Sequence, residues 1–510
     1  MSEPGVPPAR PAAGDGARGA RGAALVFGLA LAARLAVVAW AAPRIPPAAD
    51  GTFYHIIAGR IAQGLGYTWL WPDGAVTNAG HYPIGYPALV GLAYAIAGPK
   101  PGAAMVLNAL IGALGVVAAY RLAERTGGRR VALAAGLLLA LHPGLLSYTP
   151  ALMTEGVTAA LVACGAWVAS AGAARAGAPS AGGAAREGGA SRWWMWAAAT
   201  GAVLGIATLV RPQSLLLAPV LGWLAAGGRP RPAARAWSAA IALAAALAVC
   251  APWTARNCVQ MKRCALVSHN GGWNLLIGTN EKGNGSWTEL ETPPECREVF
   301  DEAEKDVCFG AAARRLIAER PGPWLALVPK KLAATFDYAG AGGWYLHAAN
   351  AEAFSDRAKR TLGTFEIVFE RALLLLALLV SVRAPFARLR ARGWTVRAIP
   401  PRDLAMLLLA TAGMITACMR HAWIAHVVLG VLLLAGAWTI APPPSEPAGA
   451  APARGDTATP GGTVLPLAAA AVLLSLALTH AAFFGAGRYS LVAFPFVTAV
   501  AALAFDRRRS

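Results

Sequence analysis

Residues 23–42 read AALVFGLALAARLAVVAWAA, and residues 43–55 continue PRIPPAADGTFYH. The first run is apolar throughout except for Arg34. At about 1.5 Å per helical residue, such a run spans a hydrocarbon core of about 30 Å. It is expected to be a retained membrane helix rather than a cleaved signal, because it follows a long tail and further spans follow it. Arg34 inside it is expected to face other helices or to snorkel. Composition agrees with a membrane protein. Of 510 residues, 56% are hydrophobic and 14% charged, against about a quarter charged in soluble proteins. Mean hydropathy is +0.49.

Working outward, further spans are predicted at 103–120, 131–148, 151–170, 193–209, 212–227, 236–252, 363–382, 403–419, 421–440, 464–484 and 488–505. The fold class is therefore all-α and polytopic, with about twelve transmembrane helices. The weakest span is 363–382, which Glu366, Glu370 and Arg371 interrupt. Residues 1–22 read as a disordered cytoplasmic tail. Residues 23–252 form an N-terminal membrane module with a first outer loop at 43–102. Residues 253–362 form a small mixed extracytoplasmic cap domain, 363–505 a C-terminal membrane module, and 506–510 a basic cytoplasmic tail.

Charge orients this arrangement. The pieces expected on the cytoplasmic side hold 23 Lys and Arg against 8 Asp and Glu, counting Asp403. The long outer stretch 253–362 holds 14 against 13. This is the positive-inside bias, with both termini cytoplasmic. Most of the formal charge of +19 is thus topological, and a nucleic-acid partner is not expected.

The first outer loop is chemically dense. Between Asp50 and Pro87 it holds two histidines, four tyrosines and two tryptophans. Phe53, Ile56, Ile57 and Ile61 recur at helical spacing, with His55, Arg60 and Gln63 away from them, which predicts an amphipathic helix lying on the membrane surface. The run 86–98 is too short to span and is expected to re-enter or lie at the interface. Asp50, Glu155, Arg211, the Trp253–Asn257 run, Arg420-His421 and Arg488-Tyr489 all fall at predicted outer ends of spans. Ionisable groups at membrane depth usually face a cavity or one another. Several at one level point to a polar site open to the outer face.

These residues resemble a known family. Asp50 with Tyr54 four residues on, the Gly85-Tyr86-Pro87 stretch, Leu152-Met153-Thr154-Glu155, Arg211-Pro212, Pro252-Trp253 with Arg256-Asn257, and Arg488-Tyr489 together resemble the bacterial branch of the GT-C superfamily. That branch comprises polyprenol-phosphate-dependent glycosyltransferases, including protein O-mannosyltransferases and the aminoarabinose transferase. The resemblance implies transfer of a sugar from a lipid-linked phosphate to a glycan, lipid or protein acceptor on the outer face of a bacterial plasma membrane. It implies Asp50 as general base with inversion at the sugar carbon, and Glu155 as a second carboxylate. It implies Arg211, Arg256 and Arg488 as partners of the phosphate, since a guanidinium pairs two oxygens and stays charged. Lys330 is a further candidate. Tyr54, Tyr82, Trp253 and Trp273 are candidates to stack on a sugar, and His55, His81, Asn257 and Tyr489 complete the candidate binding set. No organic cofactor is expected, and a divalent metal is left open. The sequence departs from the mannosyltransferase branch, which has adjacent acids here, because Gly51 follows Asp50. There is no Asp-x-Asp either, since Ala48 stands in that place.

Structural roles compete for the same residues. Asp50 suits a helix N-cap, Glu155 a helix end, Arg211 a turn before Pro212, and Arg256 and Asn257 the start of the outer stretch. His81 and Tyr82 suit the membrane interface, His142 and His421 helix ends, and Lys330-Lys331 lipid headgroups. A multi-span transporter or lipid flippase also suits the helix count. It is disfavoured by the lack of a repeat between halves and by polar groups gathered at one face.

Four of the seven cysteines, Cys258, Cys264, Cys296 and Cys308, lie in the outer stretch, where an oxidising compartment permits disulfides. They allow three pairings. Cys258–Cys264 and Cys296–Cys308, the pairs nearest in sequence, are favoured.

Overall fold

The computed structural model describes residues 14–176, 193–227, 232–393, 399–440 and 462–506. The N-terminal module comprises α1 (Gly14–Ala41), α2 (Asp50–Ala62), a hairpin of β1 (Thr68–Leu70) and β2 (Val76–Asn78), α3 (Gly85–Ala97), α4 (Pro101–Ala140), α5 (Pro143–Ser147), α6 (Thr154–Ala176), α7 (Trp193–Val210), a 3-10 turn at Pro212–Leu216, α8 (Leu217–Ala225) and α9 (Pro232–Gln260). The outer stretch holds α10 (Gly271–Ile277), α11 (Glu302–Glu319), α12 (Pro321–Ala326), α13 (Val328–Phe336) and α14 (Ala341–Ala349). The rest is α15 (Asp356–Ser381), α16 (Arg383–Ala391), α17 (Pro401–Cys418), α18 (Ala422–Ile440), α19 (Val464–Ala482), a 3-10 segment at Gly487–Val492 and α20 (Phe494–Ala501).

The chain is an all-α polytopic membrane protein. Seven described helices, α1, α4, α6, α7, α9, α17 and α19, are long and apolar enough to cross a membrane. Shorter apolar helices lie at Gly85–Ala97, Pro212–Ala225, Ala422–Gly436 and Phe494–Phe505. The 40 residues of α4 would extend about 60 Å if straight. Instead the chain reverses at Gly128, whose φ is 77°, a conformation open mainly to glycine. Arg34 shows the reversal. Its guanidinium donates to the Ala140 carbonyl at 3.4 Å and also abuts Gly112. Those two residues lie on opposite sides of Gly128, so α4 is two antiparallel legs, as the separate runs 103–120 and 131–148 foretold. Arg34 itself is 2% exposed and faces α4 rather than snorkelling.

Several boundaries differ from expectation. Helix α1 begins at Gly14, so residues 14–22 are helical rather than tail, although four of the nine are glycine; Gly19 and Gly22 lie close against Glu124 and Tyr120 of α4. Residues 1–13 and most of the expected cytoplasmic pieces at 171–192, 228–235, 441–463 and 506–510 lie outside the described residues. Helix α9 continues through Pro252 to Gln260, so Trp253–Asn257 belongs to a helix and not to the outer loop. In α2 the buried residues are Gly51, Tyr54, Ile57 and Ala58, while Ile56 is exposed. The apolar face is therefore rotated from the one that spacing suggested, because the tyrosines of the first loop supply the surface it packs on. Among the described residues the only sheet is the β1–β2 hairpin. Sheet in the outer stretch is limited to one bridge between Ser286 and Gly485. Both favoured disulfides, Cys258–Cys264 and Cys296–Cys308, are formed.

The carboxylates that interrupt the 363–382 run point inward. Glu366 and Glu370 are four residues apart on α15, so they share a face. They are 1% and 3% exposed. Glu370 Oε2 lies 3.2 Å from His142 Nε2, and its other oxygen lies 4.0 Å from His426 Nε2. Ser147 donates to Glu366. His142 stacks on Phe494 and His426 on Phe336. This buried cluster ties α5, α15 and α18 together. Glu370→Ala is expected to destabilise the protein by about 3–5 kcal/mol, because it strands the buried imidazoles. The check is a thermal unfolding scan in detergent, and an unchanged midpoint would show that the cluster holds nothing.

Candidate active site

Asp50 opens α2, but it does not cap it. The N-cap position is Ala49, which has no side-chain cap bond. The Asp50 carboxylate instead faces two side chains from remote segments. Its Oδ1 accepts from the Tyr82 hydroxyl at 2.9 Å. Its Oδ2 lies 3.0 Å from Arg488 Nη2. Arg488 sits in the 3-10 segment before α20, and its Nε reaches Glu155 Oε1 at 3.3 Å. Arg211, at the end of α7, donates to the same Glu155 oxygen at 2.6 Å. The Tyr148 hydroxyl donates to Glu155 Oε2 at 3.0 Å. A continuous network thus runs Tyr82, Asp50, Arg488, Glu155, Arg211, with Tyr148 bracing the centre.

Tyr489 forms the floor. Its ring lies 4.5 Å from the Arg211 guanidinium carbon and 5.3 Å from that of Arg488. His480 stacks beneath it at 4.4 Å. The guanidiniums are therefore held apart by a π face and joined by a carboxylate, which offsets their mutual repulsion. Exposure grades across the network. Glu155 is 2% exposed, whereas Asp50 and Arg488 keep 27% and 21% of their side chains exposed. The Asp50–Arg488 end of the network is open, and the Glu155 end is enclosed.

The first loop folds onto this network through its aromatic residues and one glycine. Phe53, Tyr54, Tyr82 and Tyr86 form a run of ring contacts at 4.5 to 5.3 Å. Tyr54 is 4% exposed and serves this packing. A Cβ at Gly85 would lie 2.5 Å from the Leu209 backbone, so the Gly85-Tyr86-Pro87 turn approaches the end of α7 just before Arg211. Tyr86 bonds Asn108 at 3.2 Å. Asn108 in turn holds the Thr149 and Ala151 carbonyls at 3.2 and 2.9 Å, upstream of Glu155. Burial, and then the Asp50 charge, push the Tyr82 phenol well above its ordinary pKa, so it stays a donor.

The other candidates build the walls. Arg256 does not join the network. It donates to the Ala79 and Tyr67 carbonyls at 2.8 and 3.0 Å and lies over Trp253. Trp253 Nε1 and Asn257 both donate to the Val267 carbonyl. These three residues fix the first loop to α9 and the outer stretch. His55 pairs with Tyr94 at 2.7 Å. His81 meets Tyr82 and Trp273 edge-on. Lys330 is exposed, whereas Lys331 is buried and donates to the Ala481 and Ala482 carbonyls at the end of α19. Arg420 and His421 are exposed at the surface. Sequence reasoning missed Tyr148, whose only signal is its place seven residues before Glu155, and Tyr345 on α14, whose hydroxyl accepts from the Leu152 amide. Among the described residues no three His, Cys, Asp or Glu side chains are grouped to hold a metal ion.

The outer stretch clamps the loop beside Asp50. Glu302 Oε1 accepts from the Gly80 amide at 2.9 Å, and the His269 amide donates to the Gly80 carbonyl at 2.8 Å. Burial lowers the pKa of both His81 and His269. Both therefore bind protons more readily when unfolded. Stability is complete above the ordinary imidazole value of about 6.5 and falls as pH drops below it. Acidification from pH 7.5 to 5.5 is expected to loosen this clamp, read as faster limited proteolysis between residues 264 and 300. Equal cleavage rates at both pH values would contradict it.

Residues 81–255 match the model of the dolichyl-phosphate-mannose-protein mannosyltransferase family. That segment carries Tyr82, Glu155, Arg211 and Trp253, and the match bears out the resemblance to the GT-C superfamily. No curated protein matches the chain. Among solved structures, the chain is similar to the archaeal oligosaccharyltransferase AglB of Archaeoglobus fulgidus, in complex with an inhibitory peptide and a dolichol-phosphate. Identity is 13% and the TM-score 0.42, over 94% of this chain and 50% of that one. It is also similar to ArnT of Cupriavidus metallidurans bound to undecaprenyl phosphate, at 17% identity and a TM-score of 0.35, over 96% of this chain and 78% of that one. The chain thus spans about half the length of AglB.

Proposed function

We propose that this GT-C-type membrane protein is an inverting glycosyltransferase that moves a sugar from a polyprenyl-phosphate donor to an acceptor on the extracytoplasmic face. The observation that carries this reading is the junction of Asp50, Arg488, Glu155 and Arg211 from four remote segments. It sets a partly exposed carboxylate beside a partly exposed guanidinium, which is what proton abstraction next to a departing phosphate needs.

The acceptor hydroxyl gives its proton to an Asp50 oxygen, and the acceptor oxygen bonds the anomeric carbon from the face opposite the phosphate. The bond from that carbon to the phosphate oxygen breaks. Its electron pair stays on the polyprenyl phosphate, which gains one negative charge. Arg488 and, behind it, Arg211 stabilise that charge. Arg488 Nη2 contacts Asp50 Oδ2. A donor phosphate competes for the guanidinium and frees that oxygen for the acceptor. Tyr82 holds the other oxygen and so orients the carboxylate. The excess of basic residues in the predicted cytoplasmic pieces supports cytoplasmic termini and an outward-facing site in a bacterial plasma membrane.

The test is to supply purified protein with a panel of polyprenyl-phosphate sugars and to follow release of polyprenyl phosphate and the anomeric configuration of the product. Transfer with inversion is expected from one donor. Retention of configuration would remove the direct displacement. No transfer from any donor, together with counterflow of a solute in vesicles, would replace the enzyme by a transporter.

A further inference from the structure

The two carboxylates of the site lie on different helices, well apart along the chain. Asp50 begins α2 and Glu155 begins α6. One side chain touches both lead-in segments. The hydroxyl of Tyr345, on α14, accepts from the Ala48 amide at 3.2 Å and from the Leu152 amide at 3.3 Å. Ala48 is two residues before Asp50, and Leu152 three before Glu155. Tyr345 is 1% exposed and its ring meets that of Tyr148, the donor to Glu155, at 6.2 Å.

Gly51 completes the junction. A Cβ there would sit 2.9 Å from the Tyr345 hydroxyl and 3.0 Å from the Leu152 carbonyl. A side chain after Asp50 would have to displace the Tyr345 hydroxyl and press on the Leu152 carbonyl. The departure from paired acids in the first loop thus has a steric cause in this chain: the space beside Asp50 is filled by Tyr345 and the backbone before Glu155.

We propose that Tyr345 is the positioning residue that sets the separation of Asp50 and Glu155, and hence the angle at which Arg488 spans them. The proposal rests on the glycosyltransferase reading for its catalytic consequence, but not for its geometry. Tyr345 touches neither donor nor acceptor. Its loss misplaces the base relative to the phosphate site without removing a substrate contact, so it acts on kcat and not on donor affinity.

The test uses full-length protein in nanodiscs. Tyr345→Phe keeps the ring and removes the acceptor oxygen. It is expected to lower kcat by about ten- to a hundredfold, the scale of a small misplacement at the reacting centre, with donor KM within twofold of wild type. Amide exchange by mass spectrometry in peptides covering 45–52 and 149–155 is expected to quicken by about tenfold, the loss of one hydrogen bond per amide. Gly51→Ala is expected to lower kcat as well. Its effect should shrink in the Tyr345→Phe background, because one of its two close contacts is gone. A wild-type kcat in Tyr345→Phe, or a rise in donor KM with kcat unchanged, overturns the proposal. If wild-type protein transfers no sugar from any donor, the functional reading fails. The exchange experiment then decides the junction alone, and unchanged exchange in both peptides overturns it.

Discussion

Asp50→Asn is expected to lower kcat by about a hundred- to ten-thousandfold, the usual contribution of a positioned general base. The substitution keeps the size of the side chain and one acceptor oxygen, but its amide nitrogen cannot accept from Arg488 as Oδ2 does. An amide oxygen can still accept from Tyr82, and the variant retains the ring cluster of Phe53, Tyr54, Tyr82 and Tyr86 that folds the loop. Folding should therefore survive. The capacity to take a proton is removed. The variant would bind polyprenyl phosphate at least as well as wild type, because Arg488 loses an anionic partner that competes with phosphate. Single-turnover transfer and binding of polyprenyl phosphate, measured on the same preparation, separate the two effects. Transfer within tenfold of wild type would take the base role away from Asp50.

Arg488→Ala is expected to reduce kcat/KM by about a hundred- to a thousandfold, as removal of one donor to a developing anion commonly does. It should also raise donor KM, since Arg488 is the more exposed of the two guanidiniums. Arg488→Lys should restore little. The arginine uses Nη2 toward Asp50 and Nε toward Glu155, two donors set apart on one rigid plane. A single ammonium cannot span both carboxylates from the same backbone position. Glu155 keeps Arg211 and Tyr148 in the variant, so the scaffold end of the network stays paired. Steady-state kinetics over donor concentration decide the matter. Kinetics of Arg488→Ala within threefold of wild type would mean that the phosphate binds elsewhere.

Much of the architecture was legible because a membrane imposes a length. Apolar runs near 103–120 and 131–148 were readable as two spans, since each is about the length a bilayer requires, and the chain reverses between them at Gly128. Helix existence was legible, and helix ends were less so. Contacts of Gly19 and Gly22 with Glu124 and Tyr120 carry α1 backward past its glycines, and α9 runs through Pro252 although an interior proline is a signal to stop. The inward face of 363–382 was not legible. Charged residues in an apolar run look like a defect until His142 and His426, remote in sequence, are seen to meet Glu370.

The candidate site divides in the same way. Asp50, Glu155, Arg211 and Arg488 were recognisable as charged groups expected at outer ends of spans, because carrying a charge at membrane depth is costly unless it has a purpose. Arg256 carries the same charge at a neighbouring position and ends elsewhere, on the carbonyls of Tyr67 and Ala79. Nothing local distinguishes it from Arg488. Hydropathy and charge bias, which act through the bilayer and need no partner, let the amino-acid order alone determine the class of the protein, most of its spans and the roster of ionisable groups. Which guanidinium faces which carboxylate, that Tyr345 joins two lead-in segments, and that Gly51 leaves no room for a second acid were decided only by tertiary packing, because hydrogen bonds and steric contacts of a few ångströms depend on neighbours that lie hundreds of residues away along the chain.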